Sequence, residues 1–110
     1  MDESKTAKLE RAGWKLGTPK EFLGLTDEEA ALIEIKLALA RGIKERRRSL
    51  RLTQEEFAKQ LRSSQSRIAK MEASDATVSM DFLVRSFLAL GATTEEVGRV
   101  IAQSSAVPAA

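Results

Sequence analysis

Residues Thr53–Glu72 read TQEEFAKQLRSSQSRIAKME, and their spacing predicts two short helices joined by a tight polar turn. Thr53 is a good helix N-cap, and Glu56 stands three residues on, so the two can close a reciprocal capping box. Leu52 before the cap and Phe57 after it are placed as a hydrophobic staple. Phe57, Ala58 and Leu61 then give the first helix one apolar face. Arg62-Ser63-Ser64 interrupts that pattern. Ser64 can cap a second helix, with Ile68 and Met71 facing inward and Gln65, Ser66, Arg67 and Lys70 left outside.

The outward set carries chemistry. A glutamine amide can pair with both N6 and N7 of adenine, an arginine can fork onto O6 and N7 of guanine, and a serine serves either. In a helix-turn-helix such groups belong at the N-terminal end of the second helix, which enters the major groove of DNA. Here they sit at its first turn. The plainer alternative is a helical hairpin with a solvated polar face.

On Thr53-Gln54, Phe57-Ala58, Leu61, Ser64-Gln65-Ser66, Ile68 and Glu72 the chain resembles the lambda-repressor/Cro-like (XRE-type) helix-turn-helix family. The resemblance implies an all-α fold, a five-helix domain running from about Arg41 to Ala102, with an N-terminal helical extension before it. It also implies roles. Gln54 opens the first motif helix, touches a phosphate and buttresses Gln65. Gln65 and Ser66, with Arg67 or Lys70, read bases. Arg47 and Glu72 match a family pair that ties the preceding helix to the end of the recognition helix. Two positions depart from the family pattern. The turn, usually Gly followed by an aliphatic residue, is Arg62-Ser63. The loop after the second helix, often basic, is Ala73-Ser74-Asp75-Ala76-Thr77.

The charge distribution supports a nucleic-acid partner. The net charge is only +2, but residues 41–70 hold ten basic and three acidic residues, whereas residues 1–40 hold six and eight, and residues 71–110 two and five. A basic block on the motif and its approach suits a phosphate backbone. Arg47, Arg62 and Ser64, with Gln54, are the candidate phosphate contacts. For Arg46-Arg47-Arg48 alone, a solvated charged face is the competing reading.

Composition narrows the rest. A chain of 110 residues fits one domain, and its 43% apolar content is enough for a small core. With no Cys there are no disulfides or thiolate metal sites, and with no His the commonest general base and metal ligand is missing. Nothing in the sequence builds an enzyme site, and no cofactor or metal is expected. No apolar run approaches the ~18 residues of a membrane span, and no signal peptide is visible. A cytoplasmic protein, on the nucleoid when bound to DNA, is the expectation.

Along the chain, residues 1–12 read as a mobile arm. Trp14 precedes Thr18-Pro19-Lys20-Glu21, a cap with Pro in the first helical position, and a short helix with Phe22, Leu23 and Leu25 on one side. Thr26–Glu29 is a further capping box, opening a long helix from about Asp27 to Leu50. Leu32, Ile35, Leu39, Ile43 and Leu50 form one stripe on it, and Ile33, Leu37 and Ala40 a neighbouring one. This face is too broad for an isolated surface helix. Its leading half needs a cover: Trp14 and Phe22, a second copy, or a partner protein. Gly42 marks a kink or a close contact. Ser79 caps a fourth helix, Met80–Leu90, with Val78 and Leu83 as staple and Phe82, Leu83, Phe87, Leu88 and Leu90 apolar; Gly91 ends it. Thr93–Glu96 is one more capping box, opening a fifth helix with Val97, Val100 and Ile101 inside. The single helical domain spans residues 13–103, and residues 104–110 read as a disordered tail.

The functional expectation is a sequence-specific double-stranded DNA-binding repressor, working as a homodimer on an operator. The extension and Thr77–Ala92 most resemble HigA-type antitoxins, which implies a small toxin protein as a further partner. A helical protein–protein adaptor without DNA binding is the alternative. RNA binding usually needs exposed aromatic platforms, and this chain has few aromatics.

Overall fold

The computed structural model describes residues 24–104. The expectations for the arm, for Trp14 and Phe22, and for the tail beyond Ser104 lie outside the described residues. The chain forms two compact units, Met1–Ala30 and Ala31–Ala110. Five helices are described: α1 (Asp27–Ser49), α2 (Gln54–Leu61), α3 (Gln65–Glu72), α4 (Met80–Ala89) and α5 (Thr94–Ala102). Among the described residues there is no strand. None of the described helices is long and apolar enough to cross a membrane.

Each helix starts at a hydroxyl cap. Thr26 and Glu29 exchange backbone-to-side-chain hydrogen bonds at the head of α1, at 2.8 and 3.2 Å. Thr53 and Glu56 do the same for α2, at 2.8 and 3.0 Å. The Oγ atoms of Ser64 and Ser79 accept from Arg67 N and Phe82 N. The Thr93–Glu96 box at the head of α5 is only half used. Thr93 Oγ1 accepts from Glu96 N, but the Glu96 carboxylate is engaged by the Arg46 guanidinium of α1. That carboxylate stitches the last helix to the first instead of closing its own cap.

The helix ends show a pattern the sequence hides. After α1, α2, α3 and α4 the chain passes through a left-handed residue: Arg51 (φ 59°), Arg62 (φ 54°), Ser74 (φ 62°) and Gly91 (φ 94°). The following N–H reaches back to a carbonyl of the last turn each time: Leu52 to Arg47, Ser63 to Ala58, Asp75 to Lys70 and Ala92 to Phe87. This is the Schellman arrangement, which glycine usually completes because it lacks a Cβ. Three of the four stops here use a residue that strains to adopt it.

The core is Leu39, Ala40 and Ile43 of α1, Phe57 and Ala58 of α2, Ile68 and Met71 of α3, Phe82, Leu83 and Phe87 of α4, then Leu90, Ala92 and Val97. Leu52 and Val78, the outer halves of the two staples, pack against its edge. α2 lies against both α3 and α4, and α5 against α4. Gly42 is a close contact: a Cβ there would come within 3.3 Å of the Phe87 ring.

Three leucines expected inside are exposed. Leu32 and Leu50 retain 44% and 49% of their surface. Leu50 follows the last helical residue, where the chain turns away at Arg51. Leu32 lies ahead of Ile35, the first α1 side chain to touch the core. On α4, Leu88 is exposed while Ser86 is fully buried. Ser86 lies three residues after Leu83 and four before Leu90 and shares their face; Leu88 is rotated off it. At the other end, Ser104 is buried and its N–H bonds to Ile101 O.

Candidate nucleic-acid interface

α2, the turn at Arg62–Ser64 and α3 form a compact helical corner whose inner face is sealed by Phe57, Ala58, Ile68 and Met71. Sealing that face fixes which residues face out. Gln65, Ser66, Arg67 and Lys70 are all exposed. Arg62, the residue that turns the chain, has φ 54° and ψ 45° and is exposed. The Ser63 hydroxyl is buried with no partner among the described residues. The family puts an aliphatic side chain at this position.

Behind the outward face runs a connected set of hydrogen bonds. Arg47 donates to Glu72 through two nitrogens, Nε to Oε2 at 2.6 Å and Nη2 to Oε1 at 2.9 Å. Its third nitrogen, Nη1, donates to Leu52 O at 2.7 Å. Gln54 Nε2 also donates to Glu72 Oε1, at 3.1 Å. Gln54 Oε1 in turn accepts from Gln65 Nε2 at 2.6 Å. A base-reading candidate is thus held, through one glutamine, by the ion pair that fastens α1 to α3. Such a fork-to-fork pair adds fixed geometry to its charge attraction.

Two roles were expected for Arg47, in the structural pair and on a phosphate. The structure places its guanidinium in the first. All three nitrogens are engaged within the chain, and the side chain is only 12% exposed. It turns inward and offers little surface to a phosphate. Arg62 and Ser64 are exposed near the head of α3, although the Ser64 hydroxyl oxygen is already accepting from Arg67 N; Gln54 is half-buried, with its amide nitrogen on Glu72 and its oxygen on Gln65.

Arg67 and Lys70 are set apart from Gln65. The Arg67 guanidinium lies over the Phe82 ring, 4.2 Å from its centroid. A cation over an aromatic face is held by the ring quadrupole. Arg67 and Lys70, with Thr77, Val78, Ser79 and Phe82, line a cleft of about 400 Å³ between α3 and the start of α4. Nothing in the sequence marked Phe82 as a platform for Arg67, because its place on the α4 pattern already explained it as core.

The loop after α3 is acidic but internally satisfied. Asp75 accepts from the Thr77 hydroxyl at 2.6 Å and from its N–H at 2.8 Å. Those two bonds hold the Asp75 carboxyl below the usual aspartate range, the hydroxyl first, with nearby Lys70 adding to the effect. Lys36 of α1 braces the loop by donating to Ala76 O at 3.2 Å. The Arg46 guanidinium, 5.8 Å from the Phe87 ring centroid, keeps the Glu96 carboxyl low in the same way.

A helix-turn-helix family model matches residues 43–97, half of the chain and the whole of the corner just described. The chain belongs to the lambda-repressor/Cro-like helix-turn-helix family. Comparison with curated proteins and with solved structures gives no match. As a member of this family the chain is a DNA-binding regulator.

Proposed function

We propose that the protein is a sequence-specific transcriptional repressor that binds double-stranded DNA as a homodimer. Each α3 enters a major groove, with half-sites about one helical turn apart, ~34–36 Å. Gln65 and Ser66 lead into the groove and read base edges, and Arg67 and Lys70 reach the DNA from the cleft beside them. Gln54, Arg62 and Ser64 hold phosphates around the head of the helix. Occupying a promoter is then sufficient to repress it, without catalysis.

The observation that carries this reading is the Gln54–Gln65 bond, which orients an exposed amide at the first turn of the recognition helix. An ordinary helical hairpin has no need to tether a surface glutamine. The test is selection of bound duplexes from a random library, followed by a salt titration. Expected are a palindromic consensus and a log–log salt slope of about −0.9 per phosphate held. Absence of any sequence preference would leave the helical adaptor as the better reading.

A second role is favoured by the leading half of α1, where Leu32 is exposed and Ile33 and Leu37 are only partly covered. Such a face suits a protein partner, and the layout resembles that of HigA-type antitoxins. On this reading the same chain neutralises a small toxin and represses its own operon in the cytoplasm. Co-expression with the product of an adjacent small reading frame tests it: rescue of growth is the expected result.

A further inference from the structure

We propose that Glu72 fixes which end of the Gln65 amide faces DNA, and thereby biases the protein toward adenine over guanine at the base pair Gln65 reads. This rests on the DNA-binding reading above and deepens it. The argument is one of donors and acceptors. Paired with Arg47, the Glu72 carboxylate can only accept hydrogen bonds. Its Oε1 lies 3.1 Å from the Gln54 amide, so the end of that amide facing it has to be the NH₂ group. A reversed Gln54 would set its carbonyl oxygen against a carboxylate oxygen.

With its nitrogen committed to Glu72, Gln54 turns its carbonyl oxygen to Gln65 and accepts at 2.6 Å. The Gln65 nitrogen is therefore drawn inward, and one of its two hydrogens is used. The Gln65 Oε1 and the remaining N–H are left for the groove as an acceptor beside a donor. Adenine presents the complement, the N6 donor and the N7 acceptor. Guanine presents two acceptors, O6 and N7, and the fixed Oε1 meets one of them without a proton between. A glutamine free to reverse could offer both of its hydrogens to guanine. Glu72 is thus a positioning residue that acts on base choice without touching a base.

The experiment compares full-length wild type with Glu72→Gln and Gln54→Leu. The first readout needs no DNA: the side-chain amide protons of Gln65 in a ¹⁵N-labelled sample. In wild type they are expected to be shifted and slow to exchange. In Glu72→Gln and Gln54→Leu they collapse to the values of a free surface glutamine. The second readout is binding to the selected operator with each of the four bases at the Gln65 position. Wild type should prefer adenine to guanine by roughly 5- to 150-fold. Glu72→Gln and Gln54→Leu should lose most of that ratio whatever happens to total affinity. Should Glu72→Gln fail to fold, Gln54→Leu, which keeps the ion pair, carries both readouts.

A free-type Gln65 amide in wild type overturns the proposal. So does an unchanged base ratio in Gln54→Leu, or in a folded Glu72→Gln. A held amide together with no sequence preference for any duplex sinks the DNA-binding reading instead, and leaves the polarity of the relay standing.

Discussion

Arg47 of α1 and Glu72, the last residue of α3, are 25 positions apart and meet as a two-pronged ion pair with side chains 12% and 3% exposed. Removing one partner of a buried pair strands the other charge and costs ~3–5 kcal/mol, against ~0–1 for a surface pair. Glu72→Ala should therefore lower unfolding free energy by about 3 kcal/mol, read from the midpoint of a urea titration. An unchanged midpoint would mean the pair contributes nothing to the fold.

Arg62 holds a left-handed conformation that glycine adopts freely, and its side chain is exposed near the head of α3. Arg62→Gly relieves the Cβ strain but adds unfolded-state entropy, leaving a gain of about 0.5–1 kcal/mol. On the phosphate-holding role proposed for Arg62, the same change should lower affinity for all sequences alike and shrink the salt slope by about 0.9. Stability and affinity are thus expected to move in opposite directions in one variant. Thermal melts and binding at several salt concentrations check the two halves.

Gln65→Ala should behave differently. Its loss removes about 1–3 kcal/mol of discrimination at a single base pair in each half-site. A binding series over all four bases at every operator position should flatten at that pair alone. A uniform loss across all variants would place Gln65 on the backbone.

Ser63 keeps its hydroxyl buried without a partner among the described residues. An unsatisfied buried polar group costs ~1–3 kcal/mol. Ser63→Ala deletes the hydroxyl and should raise the unfolding midpoint, by the equivalent of about 1 kcal/mol, without altering base preference.

Acid should destabilise the fold through Glu56, Asp75 and Glu96. Each folded carboxyl is held below its ordinary value, by hydrogen bonds from Thr53, Thr77 and Arg46 respectively. The unfolded chain then binds these protons more readily, so stability rises with pH across this range. The contribution is complete above the ordinary carboxylate range of about pH 4 and fades as pH falls through the depressed folded values. Glu96→Gln should weaken that pH dependence, as followed by melts between neutral and acid pH.

The caps, staples and inward faces of α2 and α3 were readable because they depend on residues three and four apart. The outward position of Gln65 followed from the same periodicity. The Gln54–Gln65 and Arg47–Glu72 partnerships join residues 11 and 25 positions apart, and local spacing cannot supply those; family likeness did. What neither source revealed is instructive. Ser74 shows no sign in the sequence of being a helix stop, and Arg62, though read as part of the turn, lacks the glycine that normally announces a left-handed residue. Glu96 fits a capping box by spacing, and only the tertiary approach of Arg46 shows where its carboxylate goes. Hydrophobicity alone puts Leu88 inside, but helical phase turns it outward and brings Ser86 onto the buried face.

The relay from α1 through Glu72 and Gln54 to Gln65 bears on how such a code can be moved between proteins. Transplanting the outer residues of α3 alone into a related scaffold would carry the Gln65 side chain but not the constraint on its orientation. The transferable unit spans three helices and includes Gln54, Glu72 and the cation that keeps Glu72 in place. A graft that omits them should bind DNA with the same face and discriminate less sharply, so engineering a new target for this domain begins behind the reading surface.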